Sequence, residues 1–121
     1  MRFARWVYAI AGVLGILMVT PMFFREGEMA PDNSFPIFYY GFAAVTLAWQ
    51  VLFLLLATDP LRHRPLMPAS LLEKGGFVLV VLWLYAGGRV TDPMWLFAAA
   101  IDGVLGVLFA AAYIATRSRP V

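Results

Sequence analysis

The sequence predicts an all-α membrane protein, a polytopic four-helix bundle forming one domain over residues 1–121, with both termini in the cytoplasm. Three observations support this fold class. Hydrophobic residues make up 63% of the 121 residues and charged residues only 13%, whereas an average soluble domain is about 45–50% apolar and about 25% charged. Four segments are apolar and long enough to cross a hydrocarbon core of roughly 30 Å. Arginine is concentrated on one side of these segments.

The four predicted spans are separated by short polar segments. They cover about residues 3–24, 36–58, 68–88 and 93–116. Asp92 followed by Pro93 is typical of a helix start, because the carboxylate caps free N–H groups and proline fits the first helical position. Ser70 and Glu73 fit a capping box at the start of the third span. The glycine pair at 87–88 predicts the end of that helix.

The distribution of arginine predicts the orientation. Six arginines fall on one side of the predicted spans, namely Arg2, Arg5, Arg62, Arg64, Arg117 and Arg119. The other side has only Arg25 and Arg89, with acidic residues nearby. Because cytoplasmic loops carry the excess of Lys and Arg, the first side is predicted to be cytoplasmic.

Composition excludes several kinds of chemistry. The chain has no cysteine and a single histidine, His63, so thiol redox chemistry, iron–sulfur ligation and a His-rich metal site are excluded. No cofactor or metal is expected. Neither a nucleotide fingerprint nor a nucleophile elbow is present, and no basic domain predicts nucleic-acid binding. The sequence therefore leans against an enzyme without excluding one.

The loop between the second and third spans contains Arg62, His63 and Arg64. These side chains are expected to attract anionic lipid head groups. The simpler interpretation is that they only set the orientation of the chain.

Four polar residues fall inside the predicted spans, where ionisable groups are costly and are candidates for function. They are Gln50, Glu73, Lys74 and Asp102. Asp102 is the strongest candidate, because it lies roughly 14 Å below the nearer end of its span, close to mid-depth. We expect it to face the bundle interior, either as a structural clamp between helices or as a carboxylate that binds a proton, a cation or a ligand.

The partners of these groups are left open by the sequence. Asp102 could pair with Lys74, accept a hydrogen bond from Tyr8 or Gln50, or be protonated. Lys74 could instead extend toward the cytoplasmic head groups. Glu73 has a structural role available in the Ser70 capping box. Adjacent positions point about 100° apart on a helix, so Glu73 and Lys74 are not expected to share one partner face.

Small residues suggest how the helices meet. Residues 9–18, AIAGVLGILM, match residues 100–109, AIDGVLGVLF, which aligns two glycine pairs. The pairs are Gly12 with Gly15 in the first span and Gly103 with Gly106 in the fourth. Glycine lets helix backbones approach closely in lipid, so the hypothesis is that the first and fourth spans pack antiparallel along these faces.

Three stretches carry a resemblance to known proteins. The turn ATDPLRHRP, the polar start of the third span and AIDGVLGVLF resemble bacterial four-helix membrane proteins of the DoxX-like kind and related families of unknown function. The resemblance implies a bacterial cytoplasmic (inner) membrane location and no settled activity. Size and span count also resemble the small multidrug resistance transporters. Their essential glutamate lies in the first span, which has no acid here, and this argues against membership.

Three functions follow as hypotheses. The first is a non-catalytic membrane subunit or helix-packing interaction protein, with the bilayer as partner and with other membrane subunits or a second copy left open. The second is a small carrier or binding protein for a lipid-like or cationic molecule, anchored by Asp102 and lined by Trp49, Tyr8 and Gln50. The third, ranked last, is a membrane enzyme that uses Asp102 and Lys74 as acid and base.

Overall fold

A computed structural model describes residues 2–31 and 34–117 of the chain, and these residues form five α-helices and no strand. The helices are α1 (Arg2–Val19), α2 (Glu26–Met29), α3 (Pro36–Thr58), α4 (Met67–Ala86) and α5 (Pro93–Ala115). Short 3₁₀ turns, Thr20–Phe23 and Arg64–Leu66, follow α1 and precede α4. All helices except α2 are long and apolar enough to cross a membrane. The predicted all-α fold with four spans is therefore confirmed.

The helix boundaries confirm two of the three predicted signals. The Asp92 side chain accepts a hydrogen bond from the Met94 N–H at 2.9 Å, with Pro93 in the first position of α5. α4 ends just before the glycine pair, where Gly88 has a φ of 72°. A positive φ suits glycine, because it has no Cβ to clash with the backbone.

The predicted capping box at Ser70 is wrong. α4 begins at Met67, with Pro68 in its first turn, so Ser70 lies inside the helix. Proline is well accommodated in a first turn, which allows the helix to start one turn earlier than the capping pattern indicates. The Ser70 hydroxyl then donates to the Met67 carbonyl at 2.6 Å instead of capping the helix.

The four long helices pack as two pairs. α1 packs most extensively on α3, and α4 packs most extensively on α5. A smaller contact between α1 and α5 joins the pairs, whereas α3 and α4 have few contacts. The order around the bundle is therefore α3, α1, α5, α4, and a seam separates α3 from α4.

The main core lies at the end of the bundle that holds the start of α1 and the end of α5, which we call the terminal end. The Tyr8 and Phe109 rings stack with centroids 4.3 Å apart, and Phe53 meets Phe109 edge-on at 5.0 Å. The Tyr8 hydroxyl lies 2.8 Å from the Ser70 hydroxyl and connects α1 to α4. All three rings are fully buried. This aromatic core closes the terminal end.

Arg64 fastens the turn before α4 to the end of α5. Its guanidinium donates to the Tyr113 carbonyl at 2.9 Å and to the Thr116 hydroxyl at 3.2 Å. The same guanidinium carbon lies 3.9 Å from the centroid of the Tyr113 ring, within cation–π range. Arg64 therefore has a structural role, and the predicted lipid contacts of Arg62, His63 and Arg64 stay predictions.

A smaller cluster packs at the opposite end, which we call the α2 end. Val19, Met22, Tyr39 and Ala43 are buried together there. The Tyr39 hydroxyl donates to the Met22 carbonyl at 2.8 Å, which holds the turn after α1 against α3. The buried residues of the cluster lie on the α1–α3 side, and the side chain of α5 that packs against them is the partly buried Trp95.

The glycines do not pack as predicted. A Cβ added at Gly12 would lie 2.9 Å from the Gln50 carbonyl oxygen, and one added at Gly15 would collide with the Gln50 side chain, so both glycines face α3. A Cβ at Gly106 would lie 3.5 Å from the Lys74 Cβ, and one at Gly103 would lie 4.0 Å from Val78. The α5 glycines therefore face α4. The hypothesis that the glycines of α1 face the glycines of α5 is wrong, because α1 and α5 meet through larger side chains such as Tyr8 and Phe109.

The outer surface is largely apolar. In each of the four spans only 17% to 39% of the most apolar stretch is buried. Large side chains such as Trp6, Leu17 and Trp83 are 66% to 70% exposed. An apolar surface of this extent needs lipid as its solvent, since soluble monomers rarely expose large contiguous apolar patches.

We predict that Gly12→Ala destabilises the bundle by about 1–3 kcal/mol, the usual cost of overpacking a filled interface. The added methyl would meet the rigid Gln50 backbone, so α1 would have to move away from α3. Gly103→Ala is the matched control, because its methyl would be in ordinary contact with Val78. Unfolding of both variants by a denaturing detergent in mixed micelles measures the difference. Equal stabilities would contradict the α1–α3 assignment.

Candidate binding cavity

A cavity of about 820 Å³ lies between the halves of the four long helices nearest the α2 end. It exists because the aromatic core fills only the terminal half and because α3 and α4 have few contacts. Its walls are mainly apolar. They include Met18, Phe42, Val45, Trp49, Phe77 and Trp95.

The polar residues predicted from the sequence form the floor of this cavity. Gln50 is the last cavity-lining residue of α3, Glu73 and Lys74 are the first of α4, and Asp102 is the last of α5. They are therefore the lining residues deepest in the bundle, next to the aromatic core. We call these four residues the polar floor.

An ion pair joins α4 to α5 at the polar floor. The Lys74 ammonium lies 3.2 Å from a carboxylate oxygen of Asp102 and 3.6 Å from one of Glu73. The Lys74 side chain is 3% exposed, that of Glu73 11% and that of Asp102 18%. Of the two alternatives for Lys74, the inward pair with Asp102 is therefore the one observed. The Glu73 carboxylate contacts the Lys74 ammonium itself, and the expectation that the two side chains do not share one partner face stays a prediction.

Helix packing explains why Lys74 points inward. The absence of a side chain at Gly106 leaves room for the base of Lys74, whose Cβ lies beside that glycine. Asp102 lies one helical turn before Gly106, within reach of the lysine side chain. The ammonium also lies 5.2 Å from the centroid of the Phe53 ring, a favourable cation–π distance.

Some hydrogen-bond acceptors of the polar floor have no donor within hydrogen-bond distance. The Gln50 amide N–H donates to the Thr46 carbonyl at 2.9 Å, and Lys74 donates to Asp102. Two buried oxygens, Oε1 of Gln50 and Oε2 of Glu73, have no hydrogen-bond partner among the described residues. Buried polar atoms of this kind are uncommon, and each needs an explanation such as a bound water, ion or ligand.

Among the five residues predicted to form the polar core, Tyr8 is the one that lies outside the cavity. Its hydroxyl bonds to Ser70 in the aromatic core, so of the alternatives for Asp102 the ion pair with Lys74 is observed and the hydrogen bond from Tyr8 is not. Tyr8 does not line the cavity, whereas Trp49 does, as expected. The sequence did not identify the remaining wall residues. The local amino-acid sequence around an apolar side chain that faces a cavity is the same as around one that faces lipid.

The charges and ligating groups limit the chemistry of the site. Within residues 2–31 and 34–117, no three His, Cys, Asp or Glu side chains gather in a way that could hold a metal ion. The arrangement offers two carboxylates, one ammonium and one amide at the base of an apolar chamber. These groups are suited to holding the polar end of a molecule.

The fold and the cavity together define a class: a multi-pass helical membrane protein with a partly open cavity between its helices that has a polar floor. Comparison of the chain with protein-family models, with curated proteins and with solved structures found no match. The resemblance to DoxX-like proteins therefore stays a prediction.

We predict that Lys74→Met and Asp102→Leu interact strongly in a double-mutant cycle. Removing either partner leaves a buried charge uncompensated, so the coupling energy is expected at about 1–3 kcal/mol. The exposed pair Arg25–Glu28 is the control, with side chains 57% and 67% exposed. A cycle with Arg25→Met and Glu28→Leu is expected to give less than about 1 kcal/mol. Stabilities measured in mixed micelles test this, and a coupling no larger than the control would refute it.

Proposed function

We propose that the protein is a membrane binding protein or carrier that holds an amphipathic molecule in its cavity. The observation that supports this most directly is the combination of apolar walls with a polar floor in one chamber of about 820 Å³. Ligand sites are commonly about 300–1,000 Å³, mostly apolar, with a few polar groups that orient the ligand.

The position of the chamber favours binding over conduction. The aromatic core of Tyr8, Phe53 and Phe109 closes the bundle directly beyond the polar floor. A molecule entering from the α2 end would therefore stop at the floor. This arrangement suits a binding or carrier role better than a continuous pore.

The orientation is part of the proposal. Arg2, Arg5, Arg62, Arg64 and Arg117 lie at the terminal end, and Arg119 lies outside the described residues. Arg25 and Arg89 lie at the α2 end, near Glu26, Glu28 and Asp92. The excess of positive charge supports a cytoplasmic terminal end, with both termini inside and the cavity nearer the outer face of a bacterial cytoplasmic membrane.

The other two hypotheses stay predictions. A membrane subunit would need a face for partner helices, but lipid tails cover the exposed apolar side chains equally well. An enzyme would need a reacting group beyond the Lys74–Asp102 pair, and no observation points to one. The cavity is the specific feature that favours the binding protein.

We predict that filling the cavity with a larger side chain weakens binding. Ala98 lines the cavity, so Ala98→Phe is expected to weaken binding of a brominated alkylamine at least about tenfold, a loss of about 1.4 kcal/mol. Bromine quenches tryptophan, and Trp49 and Trp95 line the cavity. The lipid-facing Trp6 and Trp83 are first replaced by Phe, so that the fluorescence reports on the cavity alone.

The control for the filled cavity is Ala100→Phe. Ala100 lies on α5 close to Ala98 but is exposed and does not line the cavity. Its binding curve is expected to match that of the parent. Identical quenching in all three proteins would mean that the probe reaches the tryptophans through the micelle, and the proposed function would fail.

We predict that the α2 end faces the outside of the cell. The chain has no cysteine, so single-cysteine variants can be labelled without background. Ser34→Cys is expected to react with a membrane-impermeant maleimide on intact cells, and Leu61→Cys only after the membrane is opened. Both positions are exposed, so accessibility within the fold does not separate them. The opposite labelling pattern would invert the orientation.

A further inference from the structure

The polar floor has more hydrogen-bond acceptors than donors, and this imbalance indicates what the ligand must bring. Resting on the proposed binding function, we propose that the cavity selects an amphiphile whose polar end is a protonated primary or secondary amine. The ammonium would lie at the polar floor, and the apolar chain would lie along the walls toward the α2 end.

The hydrogen-bond donors of the polar floor give the first support for an amine ligand. The Gln50 amide donates one hydrogen bond to the Thr46 carbonyl, and the Lys74 ammonium donates one to Asp102. The Lys74 ammonium is 3% exposed and is surrounded by Asp102, Glu73 and the face of the Phe53 ring. The two neighbouring carboxylates already compensate its positive charge. Little of this positive group is left to bind an anionic head.

The hydrogen-bond acceptors of the polar floor give the second support for an amine ligand. Oε1 of Gln50 is buried without a hydrogen-bond partner, and Gln50 as a whole is 1% exposed. Oε2 of Glu73 also has no hydrogen bond, and its ion-pair partner, the Lys74 ammonium, lies 3.6 Å away. A buried acceptor without a partner is unfavourable, because it has lost the hydrogen bonds that water would give it. An ammonium group with two or three N–H bonds would satisfy such oxygens, whereas a quaternary ammonium would not.

The net charge of the polar floor gives the third support for a cationic ligand. With both carboxylates ionised, the two acidic side chains and the one ammonium of the polar floor carry a formal charge of −1 in apolar surroundings. The other cationic residue of the lining, Arg25, is paired with Glu28 at the surface of the α2 end. A monocationic ligand would balance the charge of the floor. A fatty acid would add a third carboxylate and be repelled.

Because the protein is surrounded by lipid, the polar contacts at the floor determine which amphiphile binds most tightly. An alkyl chain gains little by leaving lipid tails for an apolar wall, because both are equally apolar. Selectivity among amphiphiles of equal chain length therefore depends on the head group at the floor. This is why one set of probes that differ only in the head can test the inference.

The experiment uses four brominated probes of equal chain length and the tryptophan-quenching assay described above. The alkylamine supplies both charge and donors, the alkyltrimethylammonium only charge, the alcohol only a donor, and the fatty acid a negative charge. The alkylamine is expected to bind at least about tenfold more tightly than the other three.

Two variants connect the preference to the floor. Asp102→Asn is expected to reduce alkylamine affinity about tenfold and to leave the alcohol unchanged, because only the charge is removed. Gln50→Leu is expected to weaken the alkylamine and the alcohol but not the alkyltrimethylammonium, because it removes an acceptor and no charge. Asp59→Asn at the terminal end is the control for loss of a carboxylate, and it is expected to change nothing.

The outcomes separate this inference from the proposed function. If the alcohol or the fatty acid binds as tightly as the alkylamine and Ala98→Phe still weakens binding, the amine preference is overturned and the binding function stands. An amine preference that survives both Asp102→Asn and Gln50→Leu, in variants that remain folded by circular dichroism, also overturns it. If no probe quenches the cavity tryptophans saturably, both proposals fall.

Discussion

The constraint on which this structure depends is that polar groups within a bilayer must find their partners inside the protein. Asp102 and Lys74 lie well inside α5 and α4, and they meet each other at 3.2 Å. The pair joins two helices at the same depth and fixes which faces they turn toward each other. Desolvation opposes such a pair, so its main consequence is a specific alignment rather than a large gain in stability.

The rest of the bundle is organised around two helix pairs that close at one end. Gly12 and Gly15 let α1 approach α3, and Gly106 lets α5 approach the base of Lys74 on α4. The aromatic core and Arg64 then bring the two pairs together at the terminal end. At the α2 end the buried cluster belongs to the α1–α3 side. The bundle is therefore filled in one half and open in the other.

This asymmetry places the polar floor at the boundary between the two halves. On one side the floor adjoins rings that are fully buried, and on the other it adjoins a chamber of about 820 Å³. The same residues can thus align the helices and remain accessible to a ligand. A structural clamp and a binding carboxylate, which the sequence leaves as alternatives for Asp102, are compatible roles here.

The sequence by itself determined the four spans, because hydrophobic length and the Asp92–Pro93 and glycine 87–88 signals are local properties of the chain. It also identified Gln50, Glu73, Lys74 and Asp102, since polar groups stand out against apolar spans. Only the tertiary structure decided that Lys74 turns inward, that Tyr8 bonds to Ser70, and that the α1 glycines face α3. Those outcomes depend on which helix lies beside which. An apolar helix surface facing lipid has the same composition as one facing a neighbouring helix or a cavity, so the pattern of residues does not distinguish them.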